Sequence, residues 1–305
     1  GEFIVKDKIN YSISFTANYG QEYRFEKLPV KTNLNINGNW EAIFAPDSSD
    51  QFNAIGEFKQ EGNNLSGTFR TETGDFRFLS GEISGNIINL SAFDGAHAFL
   101  FTGEVFDSII LGKYYSGKHY SCFWKARRMR IDNLIPADSL TKVIHKNPLI
   151  FKLPNVNNTL VSNIDPAYMN KPKVIQVTGT WCPNCREESE FLISYLKSNP
   201  NKDFHIIGIA FERYKDKLKG IERIAQYKKA MKLPYELLLG GNSNRDSSSL
   251  IFPQLDGIKG YPTLIFLDKN NRIVRVHTGF DGPATSKFEE FKNYFSESID
   301  LISKL

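Results

Sequence analysis

The chain has 305 residues, 41% hydrophobic and 24% charged, and its 38 basic and 34 acidic side chains give a formal net charge of +4; this is an ordinary globular composition whose length suits two domains better than one core. Its basic residues are scattered among acids, which excludes a nucleic-acid footprint, and no run reads as a membrane span or a signal peptide. The three cysteines exclude a disulfide framework. Gly1-Glu2-Phe3 opens the sequence without a Met, which agrees with a cloning remnant or with the interior of a longer protein.

From Ile4 to about Ala126 the pattern is all-β. Short alternating runs at 40–44, 55–58, 65–69, 87–90, 98–101 and 109–115 are separated by turn clusters. These are Gly62-Asn63-Asn64, Thr73-Gly74-Asp75, Ser84-Gly85-Asn86, Asp94-Gly95 and Ser116-Gly117-Lys118. The spacing predicts successive antiparallel hairpins, a meander closed or nearly closed into a barrel or sandwich. Residues 11–25 read as hairpins of a sheet that starts before Gly1, and no fixed-period repeat or low-complexity tract is present. Phe93, Phe99, Phe101, Phe106, Tyr114, Tyr115, Tyr120, Phe123 and Trp124 could line a ligand cavity, but small barrels fill their interiors with such residues and packing is the preferred reading. His119 and Cys122 stand three apart, hence on opposite faces of a strand, and would not share an ion. Cys122 reads as a small buried hydrophobe and His97, after Gly95-Ala96, as a polar turn or strand residue.

Residues 127–148 are basic, weakly periodic and carry Pro136 and Pro148. They read as a connection with one short helix at 139–145. The predicted organisation is therefore an all-β accessory domain at 1–127, a linker at 128–148 and a second domain at 149–305.

In that second domain Val174, Ile175 and Val177 form a β-branched run that Thr178-Gly179-Thr180 ends. Phe191, Leu192, Tyr195 and Leu196 then recur at helical spacing as far as Asn199-Pro200. A strand and a helix thus flank Trp181-Cys182-Pro183-Asn184-Cys185, with Cys182 at or just before the first helical turn. Unpaired backbone N–H groups and the positive end of the helix dipole stabilise a thiolate there, which makes Cys182 the candidate nucleophile. Cys185, about one turn deeper, is the candidate resolving thiol, and Pro183 fixes the turn. Zinc would want a second Cys or His pair, and Cys122 has no such neighbour. Attached haem would want His where Arg186 stands, and a structural disulfide over so short a loop constrains little. The spacing therefore favours redox chemistry. Downstream, 204–210 reads as a buried parallel strand, 218–231 as an amphipathic helix, 235–239 as an added strand and 242–257 as a polar segment with a short helix near 247–255. A hairpin of 264–267 and 273–277 follows, and Phe288, Phe291, Phe295, Ile299 and Ile302 trace one face of a closing helix.

GTWCPNC at 179–185, with the strand-helix-strand pattern after it and Tyr261-Pro262-Thr263 downstream, resembles the thioredoxin superfamily, most closely the TlpA/ResA-like thiol-disulfide oxidoreductases. The resemblance covers about 151–305 and implies an α/β thioredoxin-like fold, with 151–157 as its leading loop and the pieces between 218 and 257 as the insertion of TlpA-like proteins. It also implies a cis peptide between Tyr261 and Pro262, with the Tyr261 backbone free to pair with an extended substrate segment. Trp181, Pro183, Asn184, Tyr261 and Pro262 become the candidate substrate-binding residues. Thioredoxins carry a buried Asp six residues before the first Cys, where this chain has Gln176, which takes no proton at working pH. Glu188 is the candidate replacement. It shares a face with Phe191, Leu192 and Tyr195, whereas Glu187 and Glu190 fall on the polar side with Ser194 and Lys197. Desolvation there should raise its pKa and let it relay a proton to or from Cys185, and ResA-like proteins have a Glu at the matching place. The plainer alternative is that first-turn acids only complement the dipole.

The resemblance implies no cofactor, no metal and no nucleic acid. Its expected partners are protein thiols or disulfides and a thiol-disulfide electron donor, and its expected location is extracytoplasmic, in a periplasm or cell envelope, with membrane anchoring outside these residues left open. Neutral Asn184 leans toward a reductant. Two alternatives compete: a ligand- or partner-binding envelope protein whose redox pair reports or locks a state, and copper delivery through Cys182, Cys185 and His277, although copper-carrying relatives space their cysteines more widely.

Overall fold

The computed structural model describes residues 1–4, 11–93 and 97–305, with the side chains of 245–247 left aside. The expected turn at Asp94-Gly95 and the Gly95-Ala96 pair lie outside the described residues. Two compact units result: Gly1–Phe69 with Phe78–Asp132, and Arg70–Arg77 with Asn133–Leu305.

In the first unit β1 (Glu2–Ile4) and β2 (Ser12–Ser14) form a separate antiparallel pair. Then come β3 (Gly38–Phe44), β4 (Phe52–Glu61), β5 (Asn64–Thr71), the two-residue β6 (Gly74–Asp75) of the second unit, β7 (Leu79–Ser84), β8 (Ile87–Phe93), β9 (Ala98–Phe106), β10 (Ile109–Ser116) and β11 (Tyr120–Arg128). The order β4-β3-β11-β10-β9-β8-β7-β5, with β4 also paired to β5, closes an antiparallel barrel and leaves these strands no open edge. The expected meander is therefore a barrel. Alternation fills it: Trp40, Ala42 and Phe44 point inward from β3, and Phe44 meets Phe69 edge-on at 5.1 Å while Phe101 stacks on Tyr114 at 4.6 Å. Phe101, Tyr114 and Trp124 are buried, whereas Phe93, Phe106 and Phe123 are exposed. Gly112 is required by close approach, since a Cβ there would lie 2.2 Å from the Thr102 carbonyl oxygen and 2.5 Å from the Trp124 indole.

Residues 11–25 hold only β2, and 15–37 carry no strand or helix. β7 and β11 had no clear signal: Gly81 interrupts the first, and the basic end of the second resembled a linker until Arg127, opposite Glu41 in the register, donates to its carboxylate at 2.7 Å. Cys122 is half-buried rather than buried, on the β11 face it shares with buried Trp124 and Ala126, while Ser121 and Phe123 are exposed on the opposite face.

In the second unit α1 (Ala137–Leu140) is shorter and earlier than the expected 139–145 helix. Val143 is drawn into a β-bridge with Leu255, and the Ile144 N–H donates to the Gln254 carbonyl at 2.8 Å, so the chain is already extended where the helix was expected. β12 (Lys152–Pro154) pairs with β13 (Leu160–Ser162). The main sheet comprises β14 (Lys173–Thr178), β15 (His205–Glu212), β16 (Glu236–Asn242), β17 (Thr263–Leu267) and β18 (Ile273–Thr278), in the order β16-β15-β14-β17-β18. β14, β15 and β16 run parallel, β17 is antiparallel to β14, and β18 is antiparallel to β17. Helices α2 (Pro183–Ser198), α3 (Lys217–Met231), α4 (Arg245–Ile251) and α5 (Phe288–Lys304) complete it.

Central β14 is buried at all six positions, and its period-2 alternation sorts them. Val174 joins Leu192, Ile224, Phe266, Phe295 and Ile299 in one core, whereas Ile175 and Val177 join Ile207, Phe211, Phe252 and Ile265 in the other. Gln176 consequently faces α2.

Candidate active site

The turn after β14 is held from β15. The Thr180 amide and hydroxyl both donate to the Glu212 carboxylate, at 3.0 and 2.8 Å, and the Trp181 indole N–H donates to the Phe211 carbonyl at 2.9 Å. The Arg213 guanidinium lies 4.6 Å from the Trp181 ring centroid, and Tyr261 meets that ring edge-on at 5.5 Å. Cys182 is the N-cap of α2, in extended conformation, with Pro183 as the first helical residue. Its Sγ accepts from the Cys185 backbone N–H at 3.3 Å and lies 3.6 Å from the Tyr261 carbonyl oxygen. Both thiols are free; Cys182 is 8% exposed and Cys185 is fully buried. The Tyr261–Pro262 peptide is cis, and the Pro262 carbonyl accepts from the Gly279 N–H at 2.8 Å.

Behind the sulfurs, Glu188 is buried on the β14 side of α2. Gln176 Nε2 donates to Glu188 Oε2 at 2.9 Å, while Oε1, also buried, has no hydrogen-bond partner among the described residues. Burial pushes the Glu188 carboxyl well above its ordinary range; the Gln176 bond opposes this and the Cys182 sulfur adds to it. Burial, then the Cys182 sulfur, likewise push the Cys185 thiol well up. The deeper sulfur therefore holds its proton and has a buried acid–base group as its neighbour.

Glu187 departs from the expectation of a polar-side residue: it is buried. Its cover comes from Arg70–Arg77, which belongs to this unit by its packing. Arg77 pairs with Glu187 at 2.8 Å and donates to the Pro183 carbonyl at 3.3 Å. The Asn184 amide, oriented by its neighbours, donates to the Asp75 carbonyl at 3.2 Å and accepts from the Asp75 N–H at 3.1 Å. Asp75 Oδ2 accepts from the Gly282 N–H at 2.9 Å. Gly279, at φ +90°, passes against Thr73, whose backbone would lie 2.8 Å from any Cβ there. The two residues between the cysteines are thus held by a segment more than a hundred positions earlier, for which no local sequence signal exists.

Burial raises the Glu187 carboxyl to about 7; the Arg77 charge opposes that shift, and Asp75 and Glu190 reinforce it. Arg77→Ala should therefore cost about 1–3 kcal/mol in urea unfolding at about pH 8, where Glu187 is ionised and would be left buried without its partner. Around pH 5, with Glu187 protonated, the cost should shrink to what the hydrogen bond to the Pro183 carbonyl contributes, about 0.5–1 kcal/mol. Equal costs at both pH values would contradict this.

His277, the third copper candidate, sits on β18 between Phe291 at 5.2 Å and Tyr294 at 4.9 Å, and burial lowers its pKa to about 4. Among the described residues no group of three or more His, Cys, Asp or Glu is placed to hold a metal ion.

No protein-family model matches the chain, and no curated protein matches it either. Solved structures similar to it include a thiol-disulfide oxidoreductase from Bacteroides fragilis, 20% identical, covering 50% of this chain and 99% of that one with a TM-score of 0.36. A thiol:disulfide interchange protein of the thioredoxin family from Chlorobium tepidum is 19% identical over 51% of this chain and 97% of its own, with a TM-score of 0.38. A secreted disulfide oxidoreductase from Mycobacterium tuberculosis is 16% identical over 50% and 96%, with a TM-score of 0.37. The fold is seen in the sheet order β16-β15-β14-β17-β18 and in the Cys182-capped helix that follows β14. The second unit is thioredoxin-like in fold. Within that thioredoxin-like unit the structure brings Trp181, Cys182, Cys185, Glu188 and Tyr261 together, and it places Pro183 and Asn184 against residues 75 and 77. The sequence reading missed Arg77, Asp75 and Glu212.

Proposed function

We propose that this chain is a thiol-disulfide oxidoreductase that exchanges disulfides with protein partners. The observation that carries this reading is the Cys182 sulfur capping α2 at 3.3 Å from the Cys185 amide, with the protonated Cys185 thiol buried behind it. Cys182, as thiolate, attacks one sulfur of a partner disulfide, forming a mixed disulfide and releasing one partner thiolate. Glu188, as carboxylate, takes the proton of Cys185, whose sulfur then attacks Cys182. The Cys182–Cys185 bond forms, the Cys182–partner bond breaks, and the second partner thiolate leaves and takes up a proton. Two electrons pass from the dithiol to the partner, and a thiol-disulfide electron donor returns the pair to its starting state.

Trp181 and the Tyr261 backbone, either side of Cys182, form the docking edge in this reading, with Pro262 fixing the turn. Pro183 and Asn184 border that edge from the α2 side. Neutral Asn184 favours the reducing direction, and the extracytoplasmic setting comes with the family likeness; no helix among the described residues is long and apolar enough to cross a membrane. The reduced protein should reduce insulin disulfides, measured by precipitation of the free B chain. No acceleration over an equal concentration of free dithiol contradicts the reading.

A further inference from the structure

We propose that Gln176 and Tyr235 are positioning residues that pin Glu188 by one oxygen and leave the other, Oε1, as the atom that exchanges a proton with Cys185. This rests on the thiol-exchange reading above, since a positioning residue needs a relay to position.

The direction of the Gln176 amide is fixed by its neighbours. Ser189 Oγ lies 2.9 Å from the Cys185 carbonyl, which can only accept, so the single Ser189 hydroxyl proton goes there. Ser189 Oγ must then act as acceptor toward Gln176 at 3.1 Å, which places Nε2 on that side. The other Nε2 proton goes to Glu188 Oε2 at 2.9 Å, and Gln176 Oε1 accepts from the Tyr235 hydroxyl at 3.0 Å. Burial raises the Tyr235 phenol, so it remains a donor. Gln176 has both amide protons and its carbonyl engaged, in a site with no access to water. The open position next to this network is Glu188 Oε1. A buried oxygen left unpaired costs stability, and Glu188, three positions after Cys185 on α2, is near enough for its charge to act on the thiol that must lose a proton.

The titratable groups facing Glu188 are Cys182 and Cys185 from its own end of α2, Tyr235 from the turn before β16, and, through Ser189, Tyr227 of α3. β14 contributes the neutral Gln176. Nε2 donation favours the carboxylate, so weakening it keeps Glu188 protonated to higher pH, and the base needed for Cys185 appears later in a titration. The thermodynamic sign matches the kinetic one: the rising limb of the rate profile should move up in pH.

The test is the pH profile of insulin reduction from about pH 5 to 9, with circular dichroism as a check of folding. Tyr235→Phe, which removes one hydroxyl, should move the limb upward by roughly half a pH unit, lowering the rate about threefold on the limb and leaving the plateau unchanged. Gln176→Leu should move it further, by roughly a full unit. Glu188→Gln should abolish the limb. Loss of the limb in Glu188→Gln with an unmoved limb in both Tyr235→Phe and Gln176→Leu overturns the positioning role alone. A limb that survives in Glu188→Gln overturns the relay and this inference with it. Should Gln176→Leu fail to fold, Tyr235→Phe decides the matter.

Discussion

Replacing Cys182 by Ser is expected to lower insulin reduction by about a thousandfold or more, a loss of roughly 4 kcal/mol of transition-state stabilisation. The structure gives the reason: the side chain that caps α2 is the one within reach of both the Cys185 amide and the Tyr261 carbonyl, and a hydroxyl there preserves the cap without supplying an ionisable nucleophile. Folding should therefore be intact while turnover is gone. Cys185→Ser should behave differently, because its first attack is preserved and the release is not. Incubated with a disulfide substrate, it should accumulate a mixed disulfide at Cys182, visible as a mass increase that a reductant removes. Full activity of Cys182→Ser, or no adduct on Cys185→Ser, contradicts the assigned roles.

The second large effect is one of stability. Phe295 is fully buried on α5, with ring contacts to Phe191 at 5.2 Å, Tyr195 at 4.8 Å and Phe266 at 5.7 Å, so it joins the closing helix to α2 and to β17. Phe295→Ala should cost about 3–5 kcal/mol, because a cavity between three elements cannot collapse onto the missing ring. Urea unfolding followed at the second unit should show a lower midpoint with an unchanged slope. A loss under 1 kcal/mol would mean that the helix repacks and that the aromatic cluster is looser than its geometry indicates.

Legibility followed the range of the interactions. β14 is a β-branched run ended by glycine, α2 begins at Pro183, and α5 carries its apolar stripe, so local pattern was sufficient for each. The strand-turn-helix setting of Cys182 followed from the same cues. What pattern could not supply was the content of the space around them. Glu187 looks solvent-facing on a helical wheel because a wheel shows the width of an apolar stripe and not that Arg77 arrives to cover the next position. Val143 had helical neighbours and was taken by a bridge to Leu255, a case of tertiary pairing overriding weak propensity. Gln176 was noticeable only as a missing acid. Its carbonyl oxygen accepts from the Tyr235 hydroxyl, fifty-nine positions away, and nothing in the sequence joins the two. The barrel was readable as strands and turns that close or nearly close, whereas the particular β4–β5 pairing that completes the ring is set by twist and register.

The central claim is that Cys182 and Cys185 interconvert between dithiol and disulfide, and a count of free thiols under denaturing conditions tests it most directly. From the reduced protein, with its three cysteines, mild oxidation should remove two thiols, peptide mapping should find the bond between Cys182 and Cys185, and added dithiol should restore the original count. Three thiols remaining after oxidation, or a bond that includes Cys122, would contradict it.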